Sequence, residues 1–218
     1  MIIDKIISHE LPSLVLNDKI ETALQYLDDW KVSHLPVVDG PNLVGLLDEN
    51  TLLGYDDEKV RIQELPLLEH RVNKEDHIFE VIKIISDFKL STVPVVGEEG
   101  RYLGEISLSS VMGYLAEMDS VRSEGAVIVL EMNMVDYSLV EIARLVEEND
   151  AKILSATITN LEGSRLSEVS LKINKTAIRG IIQGFQRFDY KIKAFYDAPN
   201  YEDDMRRRYD ELMRYLDI

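Results

Sequence analysis

Apolar residues recur along the chain in two registers. Ile20, Ala23, Leu24 and Leu27 follow the i, i+3, i+4, i+7 spacing of an amphipathic helix. Ile78, Val81, Ile82 and Ile85 repeat it 58 residues later, and Trp30 maps onto Phe88 at the same distance. Each helix is predicted to end at a Lys-to-Ser stretch, Lys31 to Ser33 and Lys89 to Ser91. Leu35-Pro36-Val37-Val38 and Val93-Pro94-Val95-Val96 follow, again 58 apart. Proline cannot continue a helix and is allowed at the first position of a strand, so each tetrapeptide is read as a strand start. The β-branched pairs suit buried strands. Asp39-Gly40-Pro41-Asn42 and Gly97-Glu98-Glu99-Gly100 are turns by composition. Leu43 to Leu47 and Tyr102 to Ile106 are the returning strands. From Gly45/Gly104 to Gly54-Tyr55/Gly113-Tyr114 the offset is 59, so one residue has entered the loop after the Val-Val pair. Turns tolerate insertion and packed elements do not. The pattern is a duplicated unit of helix, strand, turn, strand and short helix.

Finer features follow the same doubling. Asp18 with Glu21 has the form of a capping box, and Asp76 stands at the equivalent start. Gly45 and Gly104 interrupt strands, which marks a bulge or a close approach, with tight strand–helix packing the expected cause. Glu10-Leu11-Pro12 and Glu64-Leu65-Pro66 read as two lead-ins, 54 apart. Asp56 to Arg61 is a charged linker.

After Gly125 the pattern changes. Ile128, Leu130 and Met132 alternate with Val127, Val129 and Glu131 as a strand. Leu139, Ile142, Ala143 and Val146 have helical spacing. Ile153 to Thr159 is a strand, 161–165 a turn, and Val169, Leu171 and Ile173 a half-buried strand. Ile178, Ile181, Ile182 and Phe185 predict a helix. Tyr190, Ile192, Ala194 and Tyr196 predict a last strand with one inward face. The order βαββαβ is ferredoxin-like. Met205, Tyr209, Leu212 and Leu216 give a terminal helix over 201–218, with i, i+4 acid–arginine pairs.

Charge narrows the function. The chain of 218 residues has net charge −16 and no cysteine. Residues 1–124 hold 24 acidic and 11 basic side chains, and residues 125–197 hold 10 and 9. Such a surface disfavours nucleic acid, which needs a cationic footprint, and disfavours an anionic membrane. No disulfide or thiolate metal site is possible. The start, Met1 to Lys5, lacks a signal-peptide pattern, and no apolar run approaches a membrane span. A cytoplasmic protein is expected. His9, His34, His70 and His77 show no helical metal spacing, and no nucleophile elbow or phosphate-binding glycine loop occurs. No enzyme and no metal site are expected. Metal-dependent hydrolysis by Asp48 and His34 is the remaining catalytic alternative.

The doubled unit with its "LPVVDG" strand and turn resembles the cystathionine-β-synthase (CBS) domain, which comes in tandem pairs packed as a pseudo-symmetric disc. The βαββαβ half resembles an ACT domain, a regulatory fold that often binds amino acids and dimerises. The two together resemble CBS proteins of the acetoin-utilisation type. The expected class is α/β (α+β): a CBS pair (residues 1–60 and 61–122), an ACT-like domain (125–197) and a C-terminal helix (201–218).

The resemblance implies sites. The CBS ligand signature is Gly, two apolar residues, Thr or Ser, two variable residues and Asp. The hydroxyl meets a phosphate and the carboxylate a ribose. Copy one offers Asp48 and Thr51 after Gly45. Copy two offers Ser107 and Ser110 after Gly104. Asp48 and Thr51 also suit helix capping. His34 and its counterpart Thr92 fall at the cleft rims, His34 as a partly exposed imidazole or a ligand contact. The ACT loop that holds an amino acid maps onto Asp136, Tyr137 and Ser138. The implied function is non-catalytic regulation. The CBS pair would sense a small ligand such as AMP, ATP or S-adenosylmethionine. The ACT-like domain would mediate homodimerisation or coupling to a regulated protein of unknown identity. The alternative is a structural or protein-interaction module.

Overall fold

The computed structural model describes residues 3–161 and 163–197. The terminal helix expected over 201–218 and residue 162 of the expected turn lie outside the described residues. Contacts divide the chain into two compact units at Ala116/Glu117.

The first unit carries the duplication. Its elements are β1 (Leu14–Val15), α1 (Ile20–Trp30), β2 (His34–Asp39), β3 (Asn42–Asp48) and α2 (Glu49–Leu53). They recur as β4 (Val72–Asn73), α3 (Ile78–Phe88), β5 (Thr92–Val96), β6 (Tyr102–Ser107) and α4 (Leu108–Ala116). The sheets are ordered β1-β2-β3 and β4-β5-β6. Leu14 pairs with Val37 as Val72 pairs with Val95, and both sheets shift register after the first valine of the Val-Val pair. Both helices end on a lysine in the left-handed region, Lys31 and Lys89, each at φ 53°.

Three local expectations are corrected. Asp18 does not cap α1, whose N-cap is Lys19; its Oδ2 accepts from the Val15 N–H at 2.8 Å. Asp76 does the same for Asn73 at 2.7 Å, and His77 caps α3. Both aspartates therefore close the strand-to-helix turn. Pro36 and Pro94 are third residues of their strands, not first. Each lies opposite a residue, Leu46 or Glu105, whose backbone groups turn away to another segment. The missing N–H therefore leaves no ladder partner unsatisfied.

Gly45 and Gly104, third, do not mark strand–helix packing. Their neighbours are crossing lead-in segments, not helices. A Cβ on Gly45 would lie 2.8 Å from Leu67 Cβ and 3.0 Å from the Leu68 carbonyl oxygen. On Gly104, at φ +122°, it would lie 2.4 Å from the Ser8 carbonyl oxygen. The lead-in of each repeat thus crosses the returning strand of the other. Leu46 and Leu68 exchange backbone bonds, as do Glu105 and Ser8. Core packing follows the exchange. Ile3 is buried among Val72, Ile78, Val93 and Ile106 of the second repeat, and Ile62 among Leu14, Ile20, Leu35 and Leu47 of the first. The two Glu-Leu-Pro segments are not equivalent, because Leu11 and Leu65 enter the same first-repeat cluster.

The second unit contains α5 (Asp119–Arg122), β7 (Ala126–Asn133), α6 (Leu139–Glu147), β8 (Ile153–Asn160), β9 (Leu166–Ile173), α7 (Arg179–Arg187) and β10 (Lys191–Tyr196). The antiparallel sheet runs β10-β7-β9-β8. Ile128, Leu130, Val169 and Leu171 pack with Ile142, Leu145, Ile181 and Phe185 of α6 and α7. This is the expected βαββαβ order. The last strand departs from a single inward face. A register shift between Ile192 and Ala194 puts Ile192 beside core-facing Leu130 and Ala194 beside Val129. The extra residue moves Ala194 and Tyr196 to the opposite face, and Tyr196 is exposed.

Candidate functional site

The sites begin where each central strand opens. Ser33 and His34 enter β2, and Ser91 and Thr92 enter β5, 58 residues on. The Ser33 carbonyl accepts from the Glu49 N–H and the Ser91 carbonyl from the Leu108 N–H, each at 3.0 Å. Each strand start is thus tied to the helix after its returning strand. Register then sets His34 opposite Asp48, and Thr92 opposite Ser107.

In the first repeat, Asp48 is the N-cap of α2. Its Oδ1 accepts from the Thr51 N–H at 3.0 Å and its Oδ2 from the Thr51 hydroxyl at 2.6 Å. Partial burial works to raise the Asp48 pKa. The Thr51 hydroxyl, the Thr51 and Asn50 N–H groups and His34 outweigh it, holding the carboxyl below its ordinary value. The group is an anion committed to its own helix.

In the second repeat the same position is neutral. Ser107 Oγ accepts from the Ser110 N–H at 3.0 Å and lies 2.9 Å from Ser110 Oγ and 2.7 Å from Ser109 Oγ. Three hydroxyls therefore gather at the start of α4. Thr92 is fully buried, and its hydroxyl donates to the Ile106 carbonyl at 3.3 Å.

His34 is buried, not partly exposed. Its Nδ1 accepts from the Ser91 N–H at 3.2 Å and lies 3.2 Å from Ser91 Oγ, which accepts from the Ser33 N–H at 3.0 Å. Burial pushes the imidazole below its ordinary pKa; Asp48 and Glu49 oppose this, and His70 adds to it. Sequence reasoning missed Ser33 and Ser91. Their 58-residue spacing beside the duplicated tetrapeptides was the available signal. It also missed Glu105, a buried carboxylate that accepts from the Tyr102 hydroxyl at 2.9 Å and the Leu11 N–H at 3.3 Å. Burial and that carboxylate raise the Tyr102 pKa.

In the second unit, Ser138 caps α6 through the Glu141 N–H at 3.4 Å, and Tyr137 packs against the core. Asp136 lines a cleft of about 650 Å³ with Glu141, Arg144, Phe188 and Tyr190. Among the described residues, no group of three or more His, Asp or Glu could hold a metal ion. No helix among them is long and apolar enough to cross a membrane.

The pattern of the CBS domain family matches residues 3–58 and again 70–117. The first unit is a tandem pair of CBS domains. Over 111 residues the chain is 22% identical to inosine-5'-monophosphate dehydrogenase of Methanocaldococcus jannaschii, covering 50% of this chain and 22% of that protein. The chain thus spans about a fifth of the length of that curated relative. Among solved structures it is similar to a CBS domain pair/ACT domain protein from Thermotoga maritima. The TM-score is 0.49 at 22% identity, covering 54% of this chain and 98% of that one. It is also similar to CBSX2 in complex with AMP, with TM-score 0.47 at 20% identity over 53% of this chain and 96% of that one. Within the CBS pair, Asp48 and Ser107 stand at equivalent positions, the first anionic and the second neutral.

Proposed function

We propose that this protein is a non-catalytic, cytoplasmic regulator whose CBS pair binds an adenine nucleotide or a related adenosyl ligand. CBS pairs are regulatory modules, and many bind such ligands. The observation that carries the reading is the contrast between Ser107 and Asp48. The Ser107, Ser109 and Ser110 hydroxyls can donate to phosphate oxygens at the start of α4. The Asp48 carboxylate would repel them. The ligand is therefore assigned to the second-repeat cleft, with Thr92 as buried wall and not as a contact. The second unit is read as an ACT-like domain that dimerises and passes the signal to a regulated protein. Asp136, Tyr137 and Ser138 form its loop.

A thermal-shift screen with AMP, ATP and S-adenosylmethionine, with and without magnesium, tests this. A ligand in hundredfold excess over its Kd stabilises the folded state by about 2.7 kcal/mol. A raised melting temperature for at least one adenosyl compound is the expected result. Flat melts throughout would remove ligand sensing.

A second reading, an interaction module, is favoured by one observation. Leu53 and Met112, at equivalent positions in the two repeats, are both exposed apolar side chains, and Phe79 is exposed as well. A stoichiometric partner recovered with a silent ligand screen would favour it.

A further inference from the structure

The seam between the CBS repeats contains a titratable group that the ligand reading does not use. Ser33 and Ser91 face each other across it. The Ser33 N–H donates to Ser91 Oγ, and the Ser91 N–H donates to His34 Nδ1. Both bonds run between repeats, and His34 is only 8% exposed. Nδ1 can accept from an N–H only when it carries no proton. The joint therefore requires the neutral imidazole with its proton on Nε2.

We propose that His34 is a proton-operated latch: protonation at Nδ1 sets it against the Ser91 N–H, turns it to donate to Ser91 Oγ 3.2 Å away, and so breaks one of the two bonds that hold the seam between the CBS repeats, which opens. The charged groups around it come from three elements. Asp48 at the end of β3 and Glu49 at the start of α2 favour the imidazolium. His70, in the segment before β4, disfavours it. Ser91 and Thr92 of the facing repeat bring no charge. Burial is the largest influence and lowers the pKa, which agrees with a joint built for the neutral form. The equivalent position in the second repeat is Thr92, whose hydroxyl bonds Ile106 within its own sheet. The latch is therefore one-sided, and only the histidine arm responds to protons.

The sign follows from linkage. The folded state binds the imidazole proton less readily than the unfolded chain. The stabilisation is complete above the ordinary value of 6.5 and declines as pH falls through and below it, towards the lower folded-state pKa. Because acid acts on many groups of this anionic chain, the test must read His34 itself.

Nitrogen-15 NMR of the imidazole at pH 7.5 should show an unprotonated Nδ1 and a protonated Nε2. On acidification, His34 should titrate below 6.5. The Ser33 and Ser91 amides should lose hydrogen-exchange protection with the same midpoint. His34→Asn keeps an acceptor near Nδ1 without the titration, so those two amides should stay protected across the same range. A protonated Nδ1 at pH 7.5, or loss of protection with the same midpoint in His34→Asn, would overturn the latch. Should that variant fail to fold, the wild-type tautomer and midpoint alone decide. A His34 titration that leaves the Ser91 amide undisturbed also overturns it.

Discussion

Leu46 of β3 and Leu68 of the second lead-in donate to each other's backbone carbonyls, at 2.9 and 2.8 Å. Glu105 of β6 and Ser8 of the first lead-in do the same at 3.0 and 2.8 Å. Each repeat thus closes the sheet of the other. The pair cannot be divided at the linker without stripping each core of a neighbour's side chain, and its stability is shared between the halves.

The glycines under these crossings should be intolerant in a defined order. Gly104→Ala adds a Cβ 2.4 Å from the Ser8 oxygen at φ +122°. It should cost about 3 kcal/mol. Gly45→Ala, with its closest contact at 2.8 Å and no positive φ, should cost less. Urea unfolding of the two variants checks the order; equal costs would count against the crossing as the reason for both glycines.

Ile3→Ala should remove about 3 kcal/mol, the usual penalty for emptying a buried isoleucine site. Its effect should appear in the wrong repeat by sequence. Hydrogen exchange should rise in α3 and β5, where Ile3 packs, before it rises in α1 and β2. Exchange rising first in α1 and β2 would contradict the exchanged cores.

Much of this fold was legible beforehand. The 58-residue echo located both repeats, and alternation with helical spacing gave the βαββαβ order of the second unit. Side-chain pattern could not show the lead-in exchange, because Ser8 and Leu68 engage through backbone groups that any residue carries. The bulge in β10 was hidden for the same reason, since Lys193 looks like one more alternating residue. Asp18 had the spacing of a capping box and Asp76 stood at the equivalent start, yet both fold the preceding turn instead. At the site, the Asp48/Ser107 contrast was visible in the sequence, and capping by Asp48 was anticipated. The burial of His34 was not, because its hydrogen-bond partner Ser91 lies far off in sequence.

The Asp48 cap should have a measurable pH window. Asp48→Ala should cost about 1 kcal/mol at neutral pH. The folded-state pKa lies below the ordinary 3.8. The benefit is therefore present above that value and fades as pH falls through the lower folded-state pKa. Melting curves of both proteins should converge under strong acid. A constant gap would mean that the carboxylate is not what holds α2.

Charge at position 107 should decide affinity for a phosphate-bearing ligand. Ser107→Asp gives the second repeat the residue of the first. It should abolish any melting shift produced by a phosphate-bearing adenosyl compound while leaving the unliganded melt nearly unchanged, because aspartate also caps helices. A preserved shift would move the site elsewhere.

The most direct test of a phosphate site at Ser107 is a calorimetric titration of AMP and of ATP into the whole protein, repeated with Ser107→Asp and Asp48→Asn. Saturable binding near one nucleotide per chain is expected for at least one of the two, lost in Ser107→Asp and kept in Asp48→Asn. No heat from either nucleotide in the wild type, or the same isotherm in Ser107→Asp, would contradict that site.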